Sequence, residues 1–280
     1  MTLNANNALL ALSFLSLLFI FSCNNAQNSP QQSAHSFYNQ GSLNLKSKAY
    51  DEAIEDFNRA IQLKPNFIKA YHNRSIAYSE IGNIEAALKD LDKSLEIDSN
   101  DCHTYYYTGR IKHQQGDTKE AIKDFTHCLK KDPTFHPAYS DRATIYFSLK
   151  NYERAIKDYT EAINLYGSTK RYICRGNSYN AIGENQKAIA DFKRAIQMGA
   201  NNLQAHQELA NTYMKLELYE EALPLFNKIL DIDPKHSFSL LHRGIIKIKT
   251  GFSEEGCADL LKSHELGNKD AMIKLNNYCN

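Results

Sequence analysis

The sequence predicts an all-α fold made of seven short helical hairpins that follow one another along the chain. Three observations lead to this prediction: a residue pattern recurs at a nearly constant spacing, Gly (12) and Pro (6) are scarce among 280 residues, and 42% of the residues are hydrophobic. Such a composition argues against both a disordered chain and a turn-rich β sandwich. Because Lys+Arg (33) nearly balance Asp+Glu (32), the bulk charge does not indicate a nucleic-acid partner.

The recurring pattern has the form Ala-x-x-x-aromatic-x-x-small, with some substitutions. Its copies begin at Ala53, Ala87, Ala121, Ala155, Ala188, Ala222 and Gly256, 34 residues apart except for one step of 33. We number each repeat so that this residue is position 20. Position 8 is then also small in every copy, namely Gly41, Ser75, Gly109, Ala143, Gly176, Ala210 and Gly244. Small residues at both positions let the two helices of a hairpin approach closely.

Tyrosine takes the place of tryptophan in these repeats. The chain has 17 Tyr and no Trp. Many of the tyrosines fall at positions 4 and 11, such as Tyr71 and Tyr78 or Tyr172 and Tyr179. We therefore expect them to be packing wedges whose hydroxyls lie at helix edges.

A period of 34 residues with two helical halves, small residues at positions 8 and 20 and an aromatic residue at position 4 resembles the tetratricopeptide repeat. The resemblance implies a right-handed α-α superhelical solenoid of seven helix-turn-helix repeats plus a C-terminal capping helix. The predicted repeats are 34–67, 68–101, 102–135, 136–168, 169–202, 203–236 and 237–270. The capping helix is expected over about 268–278 with Asn268 as its N-cap, so that 271–280 holds its end and the tail.

The N-terminus carries a separate signal. The apolar run from Ala8 to Phe21 is shorter than the roughly 20 residues that span a bilayer, and it suits a secretory signal peptide over 1–22. Its end, Ile20-Phe21-Ser22-Cys23, resembles the lipobox of bacterial lipoproteins. This resemblance implies lipidation at Cys23, a lipidated tether over 23–33 and an extracytoplasmic place in a bacterial cell envelope, on the outer membrane in a diderm. A cleaved signal without the lipid and an uncleaved signal anchor remain alternatives.

A candidate groove follows from the repeat resemblance, which places positions 2, 5, 9, 12 and 13 of the first helix on the concave face. Repeats two and three contribute a basic stretch rich in His and Tyr there, which could hold a carboxylate or an extended peptide. The candidate residues are Lys69, His72, Asn73, His103, Tyr106, Arg110, His113, Asn177 and Asn211. A solvated groove that binds nothing in particular is the alternative.

The carboxylate clamp found in some members of this family is not predicted. Asn73 matches the clamp, but Tyr38, Ser42, His103 and Tyr107 occupy its other positions, where Lys, Asn, Lys and Arg are wanted. A recurring arginine at position 7 is expected to pack and to hydrogen-bond between repeats. It is found as Arg74, Arg142, Arg175 and Arg243.

The sequence contains no catalytic motif that we recognise, and we expect neither enzymatic activity nor a cofactor. His72, His103 and His113 show neither the tight spacing nor the carboxylate partners of a zinc site, so no metal is expected. An enzyme component that uses this His-rich groove to hold a metal or a substrate is the alternative function.

Two further features stay open. Five cysteines follow Cys23, so they cannot all pair with one another; a Cys102–Cys128 bond is possible, and Cys128 as a plain core residue is the alternative. The groove positions of repeat seven are apolar, with Phe238, Leu241, Ile245 and Ile248. They form either a buried capping contact or a docking patch for a partner or a second copy.

We therefore predict a non-catalytic, membrane-anchored scaffold that binds a partner protein or peptide, with no nucleic acid and with a homodimer through repeat seven as an option. Lipoproteins of this layout include pilus-assembly pilotins and proteins that recruit envelope peptidases. The resemblance thus implies a role in envelope assembly, secretion or peptidase recruitment.

Overall fold

The structure is a computed structural model that describes residues 30–279. The predicted signal peptide and Cys23 lie outside these residues. Within them the chain forms fifteen α-helices and no strand, which confirms the predicted all-α fold of consecutive helical hairpins. The helices are α1 (Pro30–Lys46), α2 (Tyr50–Leu63), α3 (Ile68–Glu80), α4 (Ile84–Ile97), α5 (Cys102–Gln114), α6 (Thr118–Lys131), α7 (His136–Ser148), α8 (Tyr152–Leu165), α9 (Thr169–Ala181), α10 (Asn185–Met198), α11 (Leu203–Lys215), α12 (Tyr219–Ile232), α13 (Ser237–Lys249), α14 (Ser253–Glu265) and α15 (Lys269–Tyr278).

The chain divides into two compact units, the first ending at Tyr107 and the second beginning at Thr108. In the first unit α1 packs against α2, α2 against α3, and α3 against α4. In the second unit each helix from α6 to α14 likewise packs against the next. Because α1 begins at Pro30, residues 30–33 of the predicted tether are helical. None of the helices within residues 30–279 combines the length and hydropathy that crossing a bilayer requires.

Where position 8 is glycine and position 24 is phenylalanine, the hairpin closes because the glycine leaves room for the aromatic ring. A Cβ atom added to Gly41 would lie 2.8 Å from the Phe57 ring, and one added to Gly176 would lie 2.6 Å from the Phe192 ring. Both phenylalanines are completely buried. A methyl group at either glycine would therefore force the ring or the helix to move.

Every hairpin turns at position 15 with a left-handed backbone conformation. Four copies have Gly there, and the other three have Lys48, Lys150 and Glu217 with φ between 58° and 64°. Glycine adopts this conformation without a steric cost, whereas a side chain does not. The turn geometry is thus kept even where the residue that favours it is missing.

The recurring arginine at position 7 forms a two-pronged ion pair with the aspartate sixteen residues later. Arg74 donates from Nε and Nη2 to the two carboxylate oxygens of Asp90 at 2.8 and 2.6 Å, and from Nη1 to Asn58 of the preceding repeat. The same arrangement joins Arg142 to Asp158, Arg175 to Asp191 and Arg243 to Asp259. These arginines therefore fasten hairpins and neighbouring repeats together, as predicted.

The C-terminal helix α15 caps repeat seven, as predicted. Asn268 accepts a hydrogen bond from the backbone N–H of Asp270. Beneath α15, a buried cluster forms from Leu241, Leu260 and Ala271, with Ile245, Ile248 and Leu275 partly buried against it. Three of the four apolar groove residues of repeat seven thus lie in the cluster under the chain's own last helix, whereas Phe238 packs against the preceding core cluster.

The cysteine pairing differs from the sequence expectation at the C-terminus. A disulfide joins Cys257 to Cys279, which the sequence did not suggest. Cys102 and Cys128 are each disulfide-bonded as well. Cys174 is a free, partly buried thiol.

Candidate functional site

The first unit contains a cleft of about 450 Å³ between its first helices, which we call the first cleft. Its walls come from α1, α3 and α5 and from the residue just before α5. The lining residues are Tyr38, Ile68, Lys69, His72, Asn73, Asp101, His103 and Tyr107. Four of the nine predicted groove residues therefore meet in one place.

Asp101 is the centre of the first cleft. Its Oδ2 lies 3.0 Å from His72 Nε2, and its Oδ1 lies 3.4 Å from His103 Nδ1. Oδ2 also accepts hydrogen bonds from the backbone N–H and the hydroxyl of Thr104 at 2.9 and 2.6 Å. One carboxylate thus caps α5 and holds two imidazoles.

The ionisation of Asp101 follows from these contacts. Burial by itself raises the pKa of a carboxyl group, but hydrogen bonds from His103, His72 and Thr104 outweigh it and lower the pKa of Asp101 well below its ordinary value. The group is therefore an anion at neutral pH. Since a carboxylate can only accept, the nitrogens that face it, Nε2 of His72 and Nδ1 of His103, carry the protons.

The two histidines differ in what they can offer a ligand. His72 is 5% exposed, and its Nε2 also lies 2.8 Å from the Thr104 hydroxyl, so it is part of the wall. The His103 side chain is 52% exposed and leaves Nε2 directed away from Asp101. His103 is thus the imidazole that a ligand can reach.

The rest of the first cleft is polar and aromatic. Asn73 donates to the Tyr38 hydroxyl at 3.4 Å and to the Ser42 hydroxyl at 3.1 Å. The Tyr107 ring lies 5.1 Å from the His72 ring. Lys69 is exposed at the rim. The cleft therefore combines an ammonium group, an accessible imidazole and aromatic rings.

The other predicted groove residues lie elsewhere. Tyr106 packs beside Tyr107, with ring centroids 5.4 Å apart, but it does not line the cleft. Arg110 and His113 are exposed on α5 in the second unit. Asn177 and Asn211, also in that unit, are partly buried on α9 and α11.

Asn177 pairs with an acidic residue of the next repeat. Burial raises the pKa of Glu208, and a hydrogen bond from Asn177 opposes this effect. Asn177 is therefore already engaged with a side chain of α11.

Sequence reasoning missed Asp101, and it was wrong that the histidines lack a carboxylate partner. Asp101 contacts both His72 and His103. Even so, no group of three His, Cys, Asp or Glu side chains within residues 30–279 is arranged to hold a metal ion. One sequence feature could have indicated Asp101. It is an acidic residue directly before α5, the first helix of repeat three, which begins Cys-His-Thr.

A smaller cleft of about 190 Å³ lies between α7 and α9 in the second unit, and we call it the second cleft. Arg171 donates from Nε to the Ser140 hydroxyl at 2.7 Å and from Nη1 to the Tyr166 carbonyl at 2.5 Å, and its Nη2 lies 2.7 Å from His136 Nδ1. Burial raises the pKa of the Cys174 thiol, which also lines the cleft. This thiol is therefore a weak nucleophile.

Comparison with known proteins agrees with this architecture. Profiles of the tetratricopeptide repeat match residues 34–67, 68–101, 103–135, 136–168 and 181–242. No curated protein matches the chain significantly.

Several solved structures share the fold. The C-terminal part of a TPR repeat-containing protein from Cytophaga hutchinsonii is 20% identical, with 85% of this chain and 99% of that one covered and a TM-score of 0.69. Pseudomonas aeruginosa pilF is 18% identical, with 75% and 96% covered and a TM-score of 0.63. YrrB, a TPR protein with an unusual peptide-binding site, is 16% identical, with 67% and 97% covered and a TM-score of 0.61. At these identities the likenesses show the fold alone.

Proposed function

We propose a binding function without catalysis for this chain, on the premise that it belongs to the tetratricopeptide repeat family. Proteins of this family generally mediate protein–protein or peptide interactions. The repeats would serve here as a scaffold for a partner protein or peptide. The observation that carries the proposal is the first cleft, which four predicted groove residues line together with Asp101.

The chemistry of the first cleft favours an extended peptide with an acidic side chain. Lys69 is an exposed donor, and the exposed His103 imidazole also donates from Nε2 when its ring is protonated. The carboxylate of Asp101 already makes four hydrogen-bond contacts within the chain. The rings of Tyr38 and Tyr107 offer flat apolar surface beside these donors. A carboxylate of the partner would thus meet an ammonium group and an imidazole.

Photocrosslinking in cells tests this proposal. A photoreactive amino acid replaces Lys69 at the cleft rim, and a matched variant carries it at Glu55, an exposed residue of α2 in the same unit. We expect a discrete crosslinked partner from position 69 only, identified by mass spectrometry. An equal yield from position 55, or none from position 69, would refute the cleft as the binding site.

The partner segment identified in this way then allows a direct measurement. A synthetic peptide of that segment should bind the purified chain, and H103A with K69A should weaken it about tenfold, since each charged contact at an exposed rim contributes roughly 0.5–1 kcal/mol. The control is K89A, which changes an exposed lysine of α4 outside the cleft. Equal loss in the control would show a general charge effect.

We also propose that a lipid on Cys23 anchors the chain on the extracytoplasmic side of a bacterial envelope, on the outer membrane in a diderm. Supporting this are the apolar run before Cys23 and the disulfide-bonded cysteines, which persist in oxidising compartments. In C23A, we expect loss from the membrane fraction and loss of a metabolically incorporated lipid label. A variant that keeps both would refute the anchor, and C174A serves as the matched cysteine control.

A further inference from the structure

The Cys257–Cys279 disulfide connects α14 to the residue that directly follows α15. The two cysteines are 22 residues apart in sequence, with Cα atoms separated by 5.9 Å. The bond therefore closes a loop that contains the whole capping helix. Anything that opens it removes the covalent tie between the end of α15 and repeat seven.

Apart from this bond, few buried contacts hold α15 against repeat seven. The helix has ten residues, of which only Ala271 is buried and only Lys274 and Leu275 are partly buried; Cys279, which follows the helix, is partly buried as well. Met272 and Ile273 are 45% and 58% exposed. A helix of this length is marginal on its own in water, so its order depends on docking and on the disulfide.

The surface beneath α15 is apolar. Leu241 is 5% exposed and Leu260 is completely buried, and Ile245 and Ile248 pack against the same cluster. If α15 leaves, the part of this cluster that packs against Ala271 and Leu275 loses its cover. An exposed apolar helix face of this kind favours association with another apolar surface.

The C-terminal disulfide is more open to solvent than the other bonded cysteines. Cys257 and Cys279 are both partly exposed. By contrast, Cys102 is 6% and Cys128 is 0% exposed. A reducing thiol therefore reaches the C-terminal sulfur atoms first.

We propose that Cys257–Cys279 is a redox-operated latch, and that opening it lets two copies of this chain associate by exchanging their α15 helices. In the opening step, a dithiol reductant attacks the bond in two successive exchanges. The Cys257–Cys279 bond breaks, a disulfide forms in the reductant, and two electrons and two protons pass to the cysteine thiols.

The partner that would cover the face exposed by the loss of α15 can be inferred from α15 itself, which covers this face in the closed form. The face fits α15 of this chain, and a second copy brings the identical helix. Only three residues, Leu266 to Asn268, join α14 to α15, and they include Gly267 in a left-handed turn. Exchange of an identical element across such a short connection is a low-cost route to a dimer.

Hydrogen exchange and light scattering test the latch on a protein of residues 30–279 that carries C174S. This substitution prevents disulfides between copies through the free thiol. The oxidised protein is compared with the same protein in dithiothreitol and with C257S/C279S, which leaves the other cysteines intact. We expect amide protection over 269–279 to fall about a hundredfold once the bond is open, while protection over 203–232 stays unchanged. A dimer fraction that grows with protein concentration should appear at the same time.

Two results would overturn the proposal. Protection over 269–279 that is the same in the open and closed forms would show that α15 needs no latch. A freed α15 with a monomer at every concentration would show that a second copy is not the occupant. If C257S/C279S fails to fold, as judged by loss of protection over 203–232, the dithiothreitol-treated protein answers both questions.

Discussion

The first and second clefts lie at equivalent places in the repeat, but they are built around opposite charges. In each, the residue just before the first helix of the later repeat caps that helix: Asp101 accepts from Thr104 N–H and Ser168 from Arg171 N–H. In the first cleft the cap is also the central anion. In the second the cap is neutral, and the Arg171 guanidinium is central instead.

This difference shows which residues determine what a repeat can bind. The glycine and phenylalanine contacts and the arginine–aspartate pairs recur with the repeat and hold the helices. Asp101 and Arg171 are not part of that recurring set. The frame is therefore common to both clefts, and their chemistry depends on residues that vary from one repeat to the next.

The largest effect is expected from D101N in the first cleft. The amide keeps one acceptor oxygen and replaces the other with an NH2 group. At the Oδ2 position this group faces the backbone N–H of Thr104 and the N–H of His72, which leaves buried donors without an acceptor. We expect the free energy of unfolding to fall by about 2 kcal/mol. Urea unfolding measures this, and a loss below about 0.5 kcal/mol would show that the carboxylate is not the centre of the cleft.

The same variant should change the response to acid. Because the pKa of Asp101 is lowered in the folded chain, its stabilising contribution is complete above the unfolded-state pKa and is lost as the pH falls from there towards the folded-state pKa. The stability difference between the wild type and D101N should thus shrink below about pH 4. Unfolding curves at several pH values would contradict this if the difference grew on acidification.

In the second cleft, R171A should lower the free energy of unfolding by less, about 1 kcal/mol. The reason is that Ser140 and the Tyr166 carbonyl can bind water once the guanidinium is gone. The substitution should also raise the pKa of His136, which burial and then the charge of Arg171 hold below its ordinary value. Titration of the imidazole by NMR measures that shift. An unchanged His136 pKa would mean that burial alone lowers it.

The helical frame was predictable because its signals are local and repeated. Gly41 and Phe57, like Gly176 and Phe192, are read directly from the small and aromatic positions of a 34-residue pattern. The arginine at position 7 was correctly assigned to packing, although its aspartate partner sixteen residues later was overlooked. That partner recurs with the arginine at a fixed spacing and could have been found.

The clefts were less predictable because their contacts join residues outside the pattern. The predicted groove was built from positions within the first helices, and Asp101 precedes such a helix. The Cys257–Cys279 bond was missed for a similar reason, since the position of Cys279 depends on how α15 docks on repeat seven. Sequence periodicity locates helices, but it does not tell which side chains between them meet.

The smallest effect on stability is expected from S168D, which gives α9 in the second cleft an aspartate N-cap like Asp101 of the first cleft. A carboxylate at this position would lie at the N-terminus of α9 and near Arg171, and both favour negative charge. Asp141 in the same cleft opposes it. We therefore expect a net stabilisation of only about 0.5 kcal/mol, which weakens in high salt because the charges are partly exposed.

Urea unfolding at low and high salt measures this stabilisation, with S168N as the uncharged cap control. A stability equal to that of S168N at both salt concentrations would mean that the charge of a cap has no effect in the second cleft, and that Asp101 owes its role to the two histidines around it.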